Sequence, residues 1–113
     1  MKNLIVVLLS LTFLFSIVSC SEDTNPNIRI RNERGDKANV QLKTTGGNTI
    51  NINDVMAQQT TEYRTVAEGN VVVTAVIQNM PITPSATFFA AMNTRYTIVI
   101  LSGVTPTLRI EEE

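Results

Sequence analysis

The sequence predicts an all-β fold, a single antiparallel β-sandwich of about seven strands, set behind a cleaved N-terminal export segment. Three observations carry that prediction. Short runs of alternating apolar and polar residues recur at a spacing of about ten residues from Ile28 onward. Turn-forming residues separate them, as in Gly46-Gly47-Asn48 and Glu68-Gly69-Asn70. No stretch has a convincing 3.6-residue apolar period, and regularly spaced short strands favour a sandwich or small barrel.

The export segment comes first. Lys2 supplies a positive start, Leu4 to Val18 is an almost unbroken apolar run, and Ile17-Val18-Ser19-Cys20 ends it with the only cysteine of the chain. That is the form of a secretory signal. The run is fifteen residues long and contains Ser10, Thr12 and Ser16. A spanning helix needs roughly 20 apolar residues, so cleavage is expected rather than retention as an anchor. Ile17, Val18, Ser19 and Cys20 together resemble the lipobox of bacterial lipoproteins, in which signal peptidase cuts before the cysteine and the thiol carries diacylglycerol. The resemblance implies a signal peptide over residues 1–19 and a lipidated Cys20 bearing palmitate-type chains. Each buried methylene contributes about 0.8 kcal/mol, so two or three chains hold a protein on a bilayer without spanning it. A thiol used in this way is neither nucleophile, metal ligand nor disulfide partner, and the domain must be held by packing alone.

Residues 20–27 then form a lipidated cysteine and polar tether, with no apolar side chain from Ser21 to Asn27 except the ring of Pro26. Ser21, Glu22 and Asp23, directly behind the cysteine, resemble the export signal of Bacteroidetes surface lipoproteins. The location this implies is the outer membrane, lipid-anchored and facing the cell exterior, with a periplasm-facing position as the alternative.

Residues 28–113 are read as the sandwich. Ile28-Arg29-Ile30-Arg31 puts two isoleucines on one face and two arginines on the other. Gly35 and Asp36 mark a turn, Val40-Gln41-Leu42-Lys43 alternates again, and Gly46-Gly47-Asn48 leads as a hairpin turn into Thr49-Ile50-Asn51-Ile52-Asn53. Asp54 to Thr61 reads either as a capped helical turn or as an irregular crossing. After a β-prone stretch around Tyr63, Val71, Val73, Ala75 and Ile77 give one wholly apolar strand face, with Val72, Thr74, Val76 and Gln78 on the mixed side. Pro81 and Pro84 exclude an interior ladder there. Ala86–Ala90, Arg95–Leu101 and Thr107–Ile110 complete the strands, and Glu111 to Glu113 read as a free end.

Two patterns sharpen the fold. Ala91-Met92-Asn93-Thr94-Arg95-Tyr96-Thr97 resembles the corner entering strand F of fibronectin-type and immunoglobulin-like domains, which implies an immunoglobulin-like sandwich with Tyr96 as a structural tyrosine corner. Ile28-Arg29-Ile30-Arg31-Asn32, then Tyr63 before Ala67-Glu68-Gly69 and a valine-rich strand, then Tyr96-Thr97 with Gly103, resemble in their order the DUF4397 group of small bacterial extracytoplasmic sandwich domains. That group has no assigned activity, so the resemblance bears on fold.

The chemistry is mostly one of absence. There is no histidine, which excludes the usual general base and every Ser-His or Cys-His arrangement. Beyond residue 19 the chain carries eight Lys plus Arg against ten Asp plus Glu, a formal charge of 8 − 10 = −2, and no basic stripe for nucleic acid. No loop spaces acidic residues for calcium, so neither metal nor cofactor is expected, and the carboxylates lie in the tether, in turns or at the end. Arg34-Gly35-Asp36 spells an integrin-type tripeptide, but Gly-Asp between two strands is ordinary turn chemistry. Phe88 and Phe89 are adjacent, so in a strand they point to opposite faces, and they are the candidate interaction surface. The function expected is a non-catalytic, membrane-attached accessory or protein-interaction module with a protein partner in the envelope. The alternative is a lipoprotein that binds a glycan or small ligand.

Overall fold

A computed structural model describes residues 24–113, which form eight strands: β1 (Asn27–Asn32), β2 (Ala38–Thr44), β3 (Thr49–Val55), β4 (Arg64–Thr65), β5 (Gly69–Ile77), β6 (Ser85–Ala90), β7 (Arg95–Leu101) and β8 (Thr107–Glu112). They make two four-stranded sheets, one in the order β4-β1-β7-β8 and the other β3-β2-β5-β6. The fold is all-β, and no described residue is helical. The eighth strand beyond the expected seven is β4, a two-residue segment that pairs with β1. A pair that short leaves no alternation to detect.

Period-two patterning places the core. Ile28 and Ile30 of β1 and Ile98 and Ile100 of β7 face Val40, Leu42, Val71, Val73 and Ala75 of the other sheet, all fully or almost fully buried. Burying one such branched side chain contributes about 1.5–3 kcal/mol, and with no cross-link this packing is what opposes chain entropy.

The strand order departs from that of a constant-type immunoglobulin domain, where the first strand shares a sheet with the second. Here β1 lies in the opposite sheet from β2 and pairs in parallel with β7, Ile28 beside Tyr96 and Ile30 beside Ile98. Alternation decides which face of a strand is dry, and it carries no information about the neighbour chosen.

Local chemistry sets the connections. Between β2 and β3 the Gly47 N–H donates to the Thr44 carbonyl at 3.1 Å, and Gly47 itself has φ of 83°. The Thr44 N–H donates to the Asn48 carbonyl at 2.9 Å, so the loop proper is Thr45-Gly46-Gly47, and Gly47 holds the left-handed position that a three-residue hairpin loop requires. The Asp54–Thr61 region is an irregular crossing. Asp54 has φ of 56° at a register shift opposite Asn39, whose side chain accepts the Asp54 N–H at 2.8 Å, and a turn at Ala57-Gln58 follows. Gly69 opens β5 with φ of 138°, and a Cβ there would lie 2.7 Å from Thr45 Oγ1. Asn32 is fully buried: its amide donates to the Asp36 and Val55 carbonyls, and its side-chain oxygen accepts the Arg34 N–H. That satisfied network shapes the Arg34-Gly35-Asp36 turn.

The segment read as tether ends sooner than Asn27. Pro26 is buried and its carbonyl accepts the Val66 N–H, while the Thr24 carbonyl accepts from Asn93 and Asn27 donates to Thr94. Proline's fixed φ favours extended chain, which here runs straight into β1.

Candidate interaction site

The two sheets turn very different faces outward. On the β4-β1-β7-β8 sheet the arginines of β1 meet the end of the chain. Arg31 pairs with Glu111 at 3.0 Å and with Glu33 at 3.3 Å, and Arg109 donates twice to Glu111 Oε2, at 2.7 and 3.0 Å. Arg29 donates to Thr97 Oγ1 at 3.0 Å and lies 4.8 Å from the Tyr63 ring centre, with Arg95 at 5.4 Å from the same ring. The Tyr63 hydroxyl donates to Glu113 at 2.6 Å. Val99 is on this outward face, flanked in register by Arg31 and Arg109, and is nevertheless fully buried. The stems of long cationic side chains cover apolar surface in this way while their heads stay wet.

The lattice also sets the local titration. Hydrogen bonds from Arg109, and next from Arg31, hold the Glu111 carboxyl below its ordinary value of 4.5, against an opposing desolvation. The Tyr63 hydroxyl bond does the same for Glu113, helped by the charges of Arg29 and Arg95. The three glutamates are therefore not a free end. Glu111 and Glu112 belong to β8, and Glu111 and Glu113 are ion-paired. A run of charge at a chain terminus reads as solvated when two of the arginines that answer it, Arg29 and Arg31, lie some eighty positions earlier in sequence.

The outward face of the β3-β2-β5-β6 sheet is nearly uncharged along its strands. Asn39, Gln41 and Lys43 of β2, Asn51 and Asn53 of β3, Val72, Thr74 and Val76 of β5, and Ser85, Thr87 and Phe89 of β6 all point to solvent or lie half-covered. Val76 is 55% and Phe89 56% exposed. Phe89 sits opposite Asn70, diagonal to Val72. Between β3, β2 and β5 lies a shallow depression of about 160 Å³ lined by Asn39, Gln41, Asn51, Asn53, Thr74 and Val76.

The phenylalanine pair is divided as its adjacency implies. Phe88 is packed against the core with its ring 4.9 Å from that of Tyr96, so only Phe89 offers an open aromatic surface. The Tyr96 hydroxyl accepts the Ala91 N–H at 2.9 Å and donates to the Phe89 carbonyl at 3.3 Å, bonding back to the backbone five and seven residues earlier. Arg34 of the integrin-type tripeptide is committed elsewhere: its guanidinium donates to the Leu101 and Gly103 carbonyls, at 2.9 and 3.1 Å. Ile17, Val18, Ser19, Cys20, Ser21, Glu22 and Asp23 lie outside the described residues. Among the described residues no group of three metal-ligating side chains converges and no helix is long and apolar enough to cross a membrane.

No family model matches the chain, and no curated protein matches it. Five solved chains are similar in structure. One is described as the NMR structure of the protein from Eubacterium rectale, with a TM-score of 0.59 and 16% identity over 77% of this chain and 88% of that one. At that identity the likeness concerns the fold alone.

Proposed function

We propose that the protein is a lipid-anchored module of the bacterial cell envelope, attached through Cys20 to the outer membrane and facing the exterior, and that it acts without catalysis as an accessory to a protein partner. The anchor rests on the Ile17-Val18-Ser19-Cys20 motif, and the observation that carries the accessory role is the asymmetry of the two faces. One sheet spends its arginines and glutamates on each other, and the other leaves Phe89, Val72 and Val76 open among neutral polar groups. Interface cores favour that mixture of aromatic and aliphatic anchors with few charges. At the level of architecture, two packed antiparallel-rich sheets fit the wider immunoglobulin-like class, whose members share the sandwich without always sharing its topology.

Affinity purification of the lipidated chain from its native envelope, quantified by mass spectrometry beside Cys20→Ala and Phe89→Asp forms, tests the reading. One stoichiometric partner, lost with either substitution, is the expected result. A partner unaffected by Phe89→Asp would move the interface elsewhere, and the absence of any partner would end the accessory reading.

The amide-rich depression favours a second reading, binding of a glycan or small polar ligand, since Asn39, Gln41, Asn51 and Asn53 present donors and acceptors side by side. No aromatic side chain lines it. Screening the chain on a glycan array, with Asn51→Ala and Asn53→Ala as controls, distinguishes the two.

A further inference from the structure

Each sheet ends in two edge strands, and an edge is a row of backbone N–H and C=O groups that can template pairing unless something blunts it. Three of the four edges here are blunted. β3 carries the Asp54 bulge, β4 is two residues long, and β8 bears Arg109, Glu111 and Glu112. The fourth, β6, reads Ser85-Ala86-Thr87-Phe88-Phe89-Ala90: no charge, no proline within it, and an unbroken register with β5.

The direction of its free groups follows from one hydrogen bond. Ala75 N–H donates to the Pro84 carbonyl at 3.1 Å, which fixes the phase of the β5–β6 ladder. Counting on in twos, Ala86, Phe88 and Ala90 turn their backbone groups toward β5, and Ser85, Thr87 and Phe89 turn theirs to the open edge. The Phe89 carbonyl already accepts from the Tyr96 hydroxyl and keeps a second lone pair.

A second feature lies along the same margin. β6 of one sheet lies against β8 of the other, and the residues lining that seam, Phe88, Leu108 and Ile110, are packed on the core yet only partly buried.

We propose that β6 pairs antiparallel with β6 of a second copy of this chain, joining the two β3-β2-β5-β6 sheets into one continuous eight-stranded sheet. A second copy is the fitting occupant because the edge is its own complement. A two-fold axis through Thr87 sets Thr87 against Thr87 of the partner subunit and Ser85 against Phe89 of the partner subunit. Every backbone donor turned outward then meets an acceptor, and two uncharged strands join with no ion to desolvate. The same rotation brings the two half-open seams of Phe88, Leu108 and Ile110 to one margin. The pairing needs neither the lipid nor a third protein, so it stands or falls apart from the function proposed above.

Cysteine cross-linking of the full chain in its native envelope, with the same substitutions repeated in a Cys20→Ala background that has neither lipid nor other thiol, tests the pairing. Opposed residues in a hydrogen-bonded antiparallel pair have Cα atoms about 5.5 Å apart, within the roughly 4.4–6.8 Å that a disulfide accepts. Thr87→Cys is expected to form a disulfide-linked pair of chains under mild oxidation, while Asn51→Cys, outward on β3, and the unsubstituted chain stay single. Mixing Ser85→Cys with Phe89→Cys chains is expected to give the mixed dimer in excess over either self-linked product. Thr87→Pro removes an edge N–H without touching the β5 ladder, so the particle mass in detergent should fall from two copies to one with the β-sheet circular dichroism retained. A single-copy mass for the unsubstituted chain, equal linking at Asn51, or capture of Thr87→Cys by a different protein's strand would each overturn the proposal.

Discussion

Val99 and Val76 each lie on the outward face of a long strand, Val99 with a paired residue on both sides and Val76 on the β2 side only, and Val99 is fully buried whereas Val76 is 55% exposed. The difference is made by what stands beside them. Val99 lies between Arg31 and Arg109, whose heads are drawn together over it by Glu111. Val76 has Asn39 opposite, a side chain too short to reach across and already bonded to the Asp54 N–H. Burial on an open sheet face is thus conferred by the length and mutual attraction of neighbouring polar side chains, rather than by the apolar residue itself.

Three substitutions or conditions would break or sharpen that comparison. The largest effect belongs to Val99→Ala, expected to destabilise the chain by about 2 kcal/mol through lost transfer energy and a residual cavity, against less than about 0.5 kcal/mol for Val76→Ala. Urea unfolding midpoints of the two variants measure it, and equal effects would show that the arginine cover contributes nothing. Next is Arg31→Ala, which removes two ion pairs and part of the roof over Val99 together. A loss of about 1 kcal/mol is expected, with Lys43→Ala on the other sheet close to neutral. Adding Val99→Ala to Arg31→Ala should then cost less than the sum of the two, because the roof is already open.

The smallest effect is that of acid. Glu111 and Glu113 titrate lower when folded than when unfolded, so as pH falls from the ordinary value of 4.5 the unfolded chain takes up protons first. Their contribution is complete above that range and drains away as pH drops through the lowered values. Unfolding midpoints from pH 7 down to pH 3 should fall less steeply for Glu111→Gln than for the unsubstituted chain, and high salt should flatten both curves.

The sequence made some of this legible and hid the rest for identifiable reasons. Ile28, Ile30, Val71, Val73, Ala75 and Ile77 announced their buried faces because a two-residue period is a local signal, and Gly47 announced its turn because few residues take positive φ. The partner of each strand was hidden, since β1 alternates identically whether its neighbour is β2 or β7. The charge lattice was hidden too. It joins residues near positions 30, 63, 95 and 111, each of which reads alone as ordinary surface. Phe89 was half legible: adjacency required one of the two phenylalanines to face outward, and only the register with β5 decided which.

The parallel pairing of β1 with β7 also governs how the chain can be assembled. The first strand has no lasting neighbour until residues some seventy positions later have been delivered, since β4, its other partner, offers only two residues. Closing so long a loop before its contacts reward it is slow. The β4-β1-β7-β8 sheet therefore cannot be completed until the last quarter of the chain is present, whereas β2, β3, β5 and β6, all contained in residues 38–90, can pair before it.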